Sequence, residues 1–399
     1  MGMHRKHNLG HAHHGSLRFW SIFPLSLLFV FHGLMVAYIN STYMEQYLSP
    51  EGVGALYTIG SALAVLAFLF FSHALRAVGN VKLTLLLAVI DIASLVAMGA
   101  AESSATAIVA FVVFLTINPL LYLNIDIFSE AIIGTDESGT GSKRGLTLAL
   151  MSISATMAPL AMGLIVDGTD NLELVYFYAA GIFVFFIFFL LWRFKEFSDP
   201  DYNHFHMRKS IRCMWLYKDI RNVMFSHLLL QMFFAWAIIY IPLYLSTEVG
   251  FEWDQIGYIT AVGLFAYVIF EWPIGLIADK WTGEKEIMAA GFLVLAVSSS
   301  WLAFMSEANL LAWMVLIFIT RVGASMVEAT TESYFFKHTN GSDANTIGFF
   351  RLLRPLSNVF GALLGSAALL YLPFNLTFIV LGFMMLPGLY FSAALNDTK

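Results

Sequence analysis

Two short stretches carry acids one helical turn apart in places built for lipid. "NIDIFSE", residues 124–130, sets Asp126 and Glu130 inside a run that is otherwise apolar from Ala105 to Ile133. "MVEATTE", residues 326–332, repeats the arrangement with Glu328 and Glu332, and 328 − 126 = 332 − 130 = 202. Arg321 stands seven residues before Glu328, so on a helix Arg321, Glu328 and Glu332 share one stripe. An ionisable group at the centre of a bilayer helix costs at least ~2.5–3.5 kcal/mol, so it needs a partner, a wet cavity or a task. The tasks open to such groups are recognition of a charged solute, proton relay and gating.

The elements that must hold them follow from composition. Of 399 residues, 59% are hydrophobic and 12% charged, with a mean hydropathy of +0.75, which excludes an ordinary soluble domain. Twelve apolar runs recur: Ser21–Ser41, Val53–Ser72, Leu83–Ala101, Ala105–Ile133, Leu146–Val166, Leu174–Phe194, Val223–Ser246, Ile256–Ala278, Ile287–Met305, Leu310–Phe336, Ile347–Leu372 and Leu376–Leu395. Each is of the order of the ~20 residues that cross a bilayer as a helix. They are continuous rather than alternating, which argues against a membrane barrel. The expected fold is an all-α membrane protein with twelve transmembrane helices in two pseudo-symmetric halves of six.

Basic residues gather in the even loops and acids alone mark the odd ones, which predicts that both termini are cytoplasmic and that the chain lies in the cell membrane. A long polar stretch from Arg193 divides the spans six and six. We divide the chain into a His-rich tail (1–18), a first half (19–194), a cytoplasmic linker (195–222) and a second half (223–399). At the same offset of 202, Tyr38 falls on Tyr240 and Gly163 on Gly365, so a duplication is expected. Repeats of this kind build secondary transporters, whose solute site lies near the membrane midplane between rocking halves.

The eighth loop, "GLIADKWTGEK", with Gly275, Asp279, Lys280, Gly283 and Lys285, resembles the loop signature of the major facilitator superfamily, with one residue inserted before Gly283. The second loop, "SHALRAVGNVK", keeps Arg76, Gly79 and Lys82 without the acid. Span five keeps Gly145, Pro159 and Gly163 of that family's antiporter signature. The resemblance implies that spans one, four, seven and ten line a central cavity, that Asp279 caps or braces the junction between halves, and that the protein works as a monomer.

In that frame Arg321 either binds an anionic group of the solute or is the counter-ion of a carboxylate that releases its proton. The bland alternative is a structural pair with Glu328 or a neighbouring acid. Gln231, Tyr38, Tyr240, Asn118 and Tyr122 are candidate cavity hydrogen-bonders. His32 is read either as a proton-coupling group or as a packing residue. Trp236 and Trp313 either stack on a ligand or pack, and Asp91 and Glu271 fall on spans placed away from the cavity. Asp126, Glu130 and Glu332 face Arg351, Arg354 and Arg144 as a gate, or as a permanent brace such as Glu332 with Arg351. Asp126, the deeper of its pair, is the proton carrier in this reading.

The tail's five histidines, His4, His7, His11, His13 and His14, are read as a disordered segment rather than a metal site. The single Cys213 suggests no redox chemistry. There is no phosphate-cradling loop, nucleophile elbow or zinc spacing, so no enzyme, cofactor or nucleic-acid partner is expected. The function expected is proton-coupled secondary transport of a small solute, with span five weighting it towards antiport and export. The alternatives are solute/proton symport or facilitated uptake and, from another class, a non-transporting receptor or lipid-handling protein.

Overall fold

The computed structural model describes residues 19–133, 140–169, 171–200, 202, 207–338 and 344–396. Among them, twelve helices are long and apolar enough to cross a membrane: Ile22–Glu45, Pro50–Val78, Asn80–Gly99, Ser104–Ile132, Leu150–Asp167, Glu173–Arg193, Lys218–Val249, Trp253–Thr282, Glu284–Leu302, Leu310–His338, Thr346–Tyr371 and Phe374–Ala393. We number them as spans one to twelve. No strand occurs among the described residues, and the chain is an all-α, multi-pass membrane protein. Phe70, Phe185, Phe188 and Leu370 stand exposed on the outer surface, as side chains that meet lipid tails do. Trp192, Trp281 and Trp301 are exposed near span ends, where amphipathic rings settle at the interface.

The packing of the spans repeats itself. In the first half, span one packs on five and six, two on four, and three on four and six. In the second half, span seven packs on eleven and twelve, eight on ten, and nine on ten and twelve. Adding six to each number of the first set gives the second set. The halves meet through span two with eleven and span five with eight, which the same operation exchanges. Small residues permit this close approach: a Cβ on Gly163 would lie 2.7 Å from the Trp253 carbonyl oxygen, and one on Gly257 would lie 2.7 Å from that of Pro159. With twelve spans, the start of the first and the end of the last share one side, here called the terminal face.

Local sequence explains the ends and breaks. Span two starts with Pro50 after Ser49, whose hydroxyl accepts from the Gly52 N–H. Span one breaks between Ala37 and Asn40, so that Tyr38 and Asn40 both come to the cavity described below. Span eight passes into a π-turn over Ala278–Thr282 before Gly283. A π-turn holds one residue more than an α-turn, which is how the residue inserted in the loop signature is absorbed. Gly283 (φ 85°, ψ 166°) has a twin in Gly79 (φ 80°, ψ 162°), a backbone region open essentially to glycine alone. After each glycine comes a buried polar residue tied to the neighbouring helix. Asn80 donates to the Asn124 carbonyl at 3.0 Å, while Glu284 accepts from Ser333 at 3.1 Å and pairs with Lys337. The acid absent from the second loop arrives from beyond span six. Asp199 accepts the Asn80 N–H at 2.8 Å, capping span three, and also accepts from the Tyr202 hydroxyl at 2.6 Å. Partial burial and that hydrogen bond hold the Tyr202 phenol protonated above its ordinary range.

Candidate functional site: a charged cavity between the halves

A cavity of about 410 Å³ lies between the halves. Spans one, two, four and five line it from one side, and spans seven, eight, ten and eleven from the other. The first half contributes neutral groups, including Tyr38, Asn40, Tyr57, Asn118, Tyr122 and Ser152. The second half contributes Gln231 and Tyr267 and all four charge-bearing groups: Arg321, Arg354, Glu271 and Glu328. Among the described residues no carboxylate is within ion-pairing distance of Arg321 or Arg354, and no base is within that distance of Glu271 or Glu328.

Each charged group is positioned by its surroundings. Arg321 is buried on span ten with its guanidinium 5.2 Å from the centre of the Phe233 ring. Gly263 on span eight makes room for its stem, since a Cβ there would lie 3.3 Å from the Arg321 Cγ. Arg354 crosses the interface to stand 4.5 Å from the centre of the Tyr122 ring on span four. Several neutral groups await partners: the amide nitrogens of Asn118 and Gln231 and the hydroxyls of Tyr57 and Tyr267 are buried with no hydrogen bond. Buried polar atoms are normally satisfied, so four unfilled ones lining a cavity mark where a ligand's polar atoms belong.

Towards the terminal face the halves are tied by an ion bridge. Arg351 on span eleven lies 3.3 Å from Asp126 on span four and 3.3 Å from Glu332 on span ten. The two pairings offered by the sequence, one across the halves and one within the second half, thus occur together on one arginine. Glu130 lies exposed one turn beyond. Near the opposite face, Thr42 Oγ1 and Ser246 Oγ are 3.2 Å apart and Ser366 donates to the Glu51 carbonyl, so the halves touch at both ends of the cavity.

Several sequence expectations need correction. His32 does not reach the cavity; its Nε2 lies 3.2 Å from Asp91 Oδ2 and its ring stacks on Phe183 at 3.7 Å, with both polar side chains fully buried. Tyr240 donates to the Ala362 carbonyl at 2.8 Å and fills the space over Gly365 and Gly54, so it seals the contact between spans seven, eleven and two. Trp236 and Trp313 are fully buried in packing away from the cavity. Glu271, expected elsewhere, lines the cavity. A signal for it was present, because Gly263, Tyr267 and Glu271 recur every four residues and so share a face of span eight. Gln231, Tyr38, Asn118 and Tyr122 line the cavity together with Arg321 and Glu328. In the loop signature Gly275 has open space around it, Lys280 is exposed and Lys285 lies 3.6 Å from Glu286. The side chains of Arg144 and Asp279, and the histidine tail, fall outside the described residues. No group of three metal-ligating side chains occurs among those described.

Residues 223–398 match the family model of the Major Facilitator Superfamily, and the described residues form twelve helices long and apolar enough to cross a membrane. The second half of the chain is thus similar in sequence to the Major Facilitator Superfamily. Among solved structures, a crystal structure of a point mutant of the nucleoside transporter NupG is similar to it, with a TM-score of 0.72 at 11% identity. The similarity covers 95% of this chain and 100% of that one, and at this identity it speaks for the fold. No curated protein matches the chain. The family match of the second half and the shared fold are those of secondary transporters of small solutes.

Proposed function

We propose that the protein is a proton-coupled symporter that takes up a small polar solute by alternating access, with both termini in the cytoplasm of a cell-membrane monomer. The observation that carries this reading is the separation of charges within the cavity. Among the described residues Arg321 has no ion-pairing carboxylate, and Glu328 stands two helical turns further along, so a solute and a proton have room to be bound together. Antiport requires instead that one ligand displace the other from a shared group. Gly163 and Pro159 of span five, which weighted the sequence towards antiport, pack closely against the start of span eight. The likeness in fold to the nucleoside transporter NupG supports a polar organic solute as a working class.

Asp126, Arg351 and Glu332 act as the cytoplasmic gate in this reading. The bridge stands when that side is closed and parts when it opens, while Thr42 and Ser246 serve the outer side. Glu328 carries the coupled proton within the cavity, Asp126 relays protons at the gate, and Gln231, Tyr38, Asn118 and Tyr122 orient the solute.

The test is the sign of proton movement. Purified protein is reconstituted into liposomes holding a pH dye, and lactate, benzoate, glucuronate, glucose or uridine is added outside. Internal acidification that needs the protein and the solute together is the expected result. Alkalinisation would assign antiport, and accumulation of a labelled solute without proton movement would assign facilitated uptake.

A further inference from the structure

We infer that the transported solute is an organic anion bearing a carboxylate, held at Arg321, and that the neighbouring acids Glu328 and Glu271 together take up one proton as it binds. The inference rests on reading the cavity as the transport site. Charge balance leads to it. With Arg321, Arg354, Glu271 and Glu328 all ionised, the cavity carries no net charge and offers a lone anion little. Each carboxyl that takes a proton leaves one positive charge uncompensated, and in a low-dielectric enclosure such a charge attracts an anion strongly. Proton and anion therefore each make the other's binding more favourable, and the linkage is reciprocal.

The surroundings point to a carboxylate in particular. One face of the Arg321 guanidinium is taken by Phe233, which leaves the planar fork of N–H donors for bidentate contact with a planar acceptor. The neighbouring orphans are dominated by donors: the Asn118 and Gln231 amide nitrogens and the Tyr57 and Tyr267 hydroxyls. Phe29, Phe114, Leu264 and Phe234 wall the remainder, so hydroxyl or carbonyl groups on an apolar frame complete the match.

The two acids are placed to take up a proton from solution as the anion binds. Glu271 and Glu328 are each other's electrostatic neighbours from spans eight and ten, with Ser152 beside Glu271 and Arg354 facing Glu328. Glu332 and Arg351 complete the charged groups around Glu328, and these two are already joined in the gate. Tyr38 and Tyr267 surround Arg321 from spans one and eight.

The experiment pairs each carboxylate with a neutral counterpart of the same frame: benzoate with benzamide, lactate with lactamide and glucuronate with glucose. Binding to purified protein is read by melting shift at pH 6 and pH 8, and proton exchange by a pH electrode in weak buffer. At least one carboxylate should bind with proton uptake, its affinity falling by up to about tenfold per pH unit for the one coupled proton, while its counterpart does not bind. Glu328→Gln, which fixes the neutral form, should restore pH 8 affinity to the pH 6 level and remove proton uptake at that site. A gain of binding cannot come from misfolding. Arg321→Lys should weaken carboxylates selectively. Equal binding of neutral partners, proton release on binding, or a panel in which no carboxylate binds would overturn the inference. Carboxylate binding with proton uptake that drives no net uptake into liposomes would leave the inference standing and sink the symport reading alone.

Discussion

At the scale of the residue, the charged groups divide into those that satisfy one another and those that do not. His32 and Asp91 form a closed pair in the first half, fully buried and stacked on Phe183, with no access to the cavity. Removing one partner from such a pair strands the other, whereas replacing both by apolar groups relieves the burial of charge. We therefore expect Asp91→Leu alone to be destabilising by about 3–5 kcal/mol, with the double variant His32→Leu/Asp91→Leu recovering most of that loss. Thermal melting of the purified protein measures it, and two losses that simply added would count against the pair. Arg321 and Glu328 are the opposite case, placed near each other on one helix with no ion-pairing partner among the described residues.

At the scale of the element, glycines decide how closely helices meet. Gly365 holds the Tyr240 ring so near that an added Cβ would lie 2.1 Å from it, and that ring also covers Gly54 across the interface. Gly365→Ala should cost roughly 1–3 kcal/mol by overpacking, and Tyr240→Leu in the same chain should return most of it. Gly283→Ala should cost about 1–3 kcal/mol for a different reason, because its backbone conformation is closed to other residues, and no second-site trimming should rescue it.

This scale also marks what could be read in advance. The twelve spans and the repeat at 202 residues were legible because hydropathy and spacing are properties of the chain alone. The stripe of Arg321 and Glu328 was legible because helical geometry is fixed once a helix is granted. Which way Tyr240 and Tyr38 would face was not legible, although they are twins by offset. Their environments differ only in three dimensions, where Tyr240 meets two glycines from other helices and Tyr38 meets open space. Glu271 was missed because its span was assigned to the periphery as a whole, although one face of it reaches the cavity. His32 could not be decided between coupling and packing for a related reason, since its partner Asp91 lies 59 residues away.

At the scale of the whole molecule, two sets of contacts clamp the ends of one cavity. Replacing Thr42 and Ser246 by cysteine, in a chain with Cys213→Ser, should allow an oxidised cross-link between the halves, because their side-chain oxygens are 3.2 Å apart. Oxidation should stop transport and reductant should restore it; unimpaired transport by the cross-linked protein would exclude alternation at this point. Asp126→Asn should weaken the opposite clamp and increase labelling, from the terminal face, of a cysteine placed at Ser152.

The even count of two arginines and two glutamates in the cavity bears on how the cell's voltage acts on the protein. One elementary charge carried across 100 mV exchanges about 2.3 kcal/mol with the field. An empty cavity summing to zero, and a loaded one to which a monovalent anion adds one charge and a proton removes it, give the field nothing to pull on in either direction of rocking. Uptake of a monovalent carboxylate with one proton should therefore run at the same rate whether a potassium diffusion potential makes the liposome interior negative, positive or neutral. The pH gradient alone should set its pace.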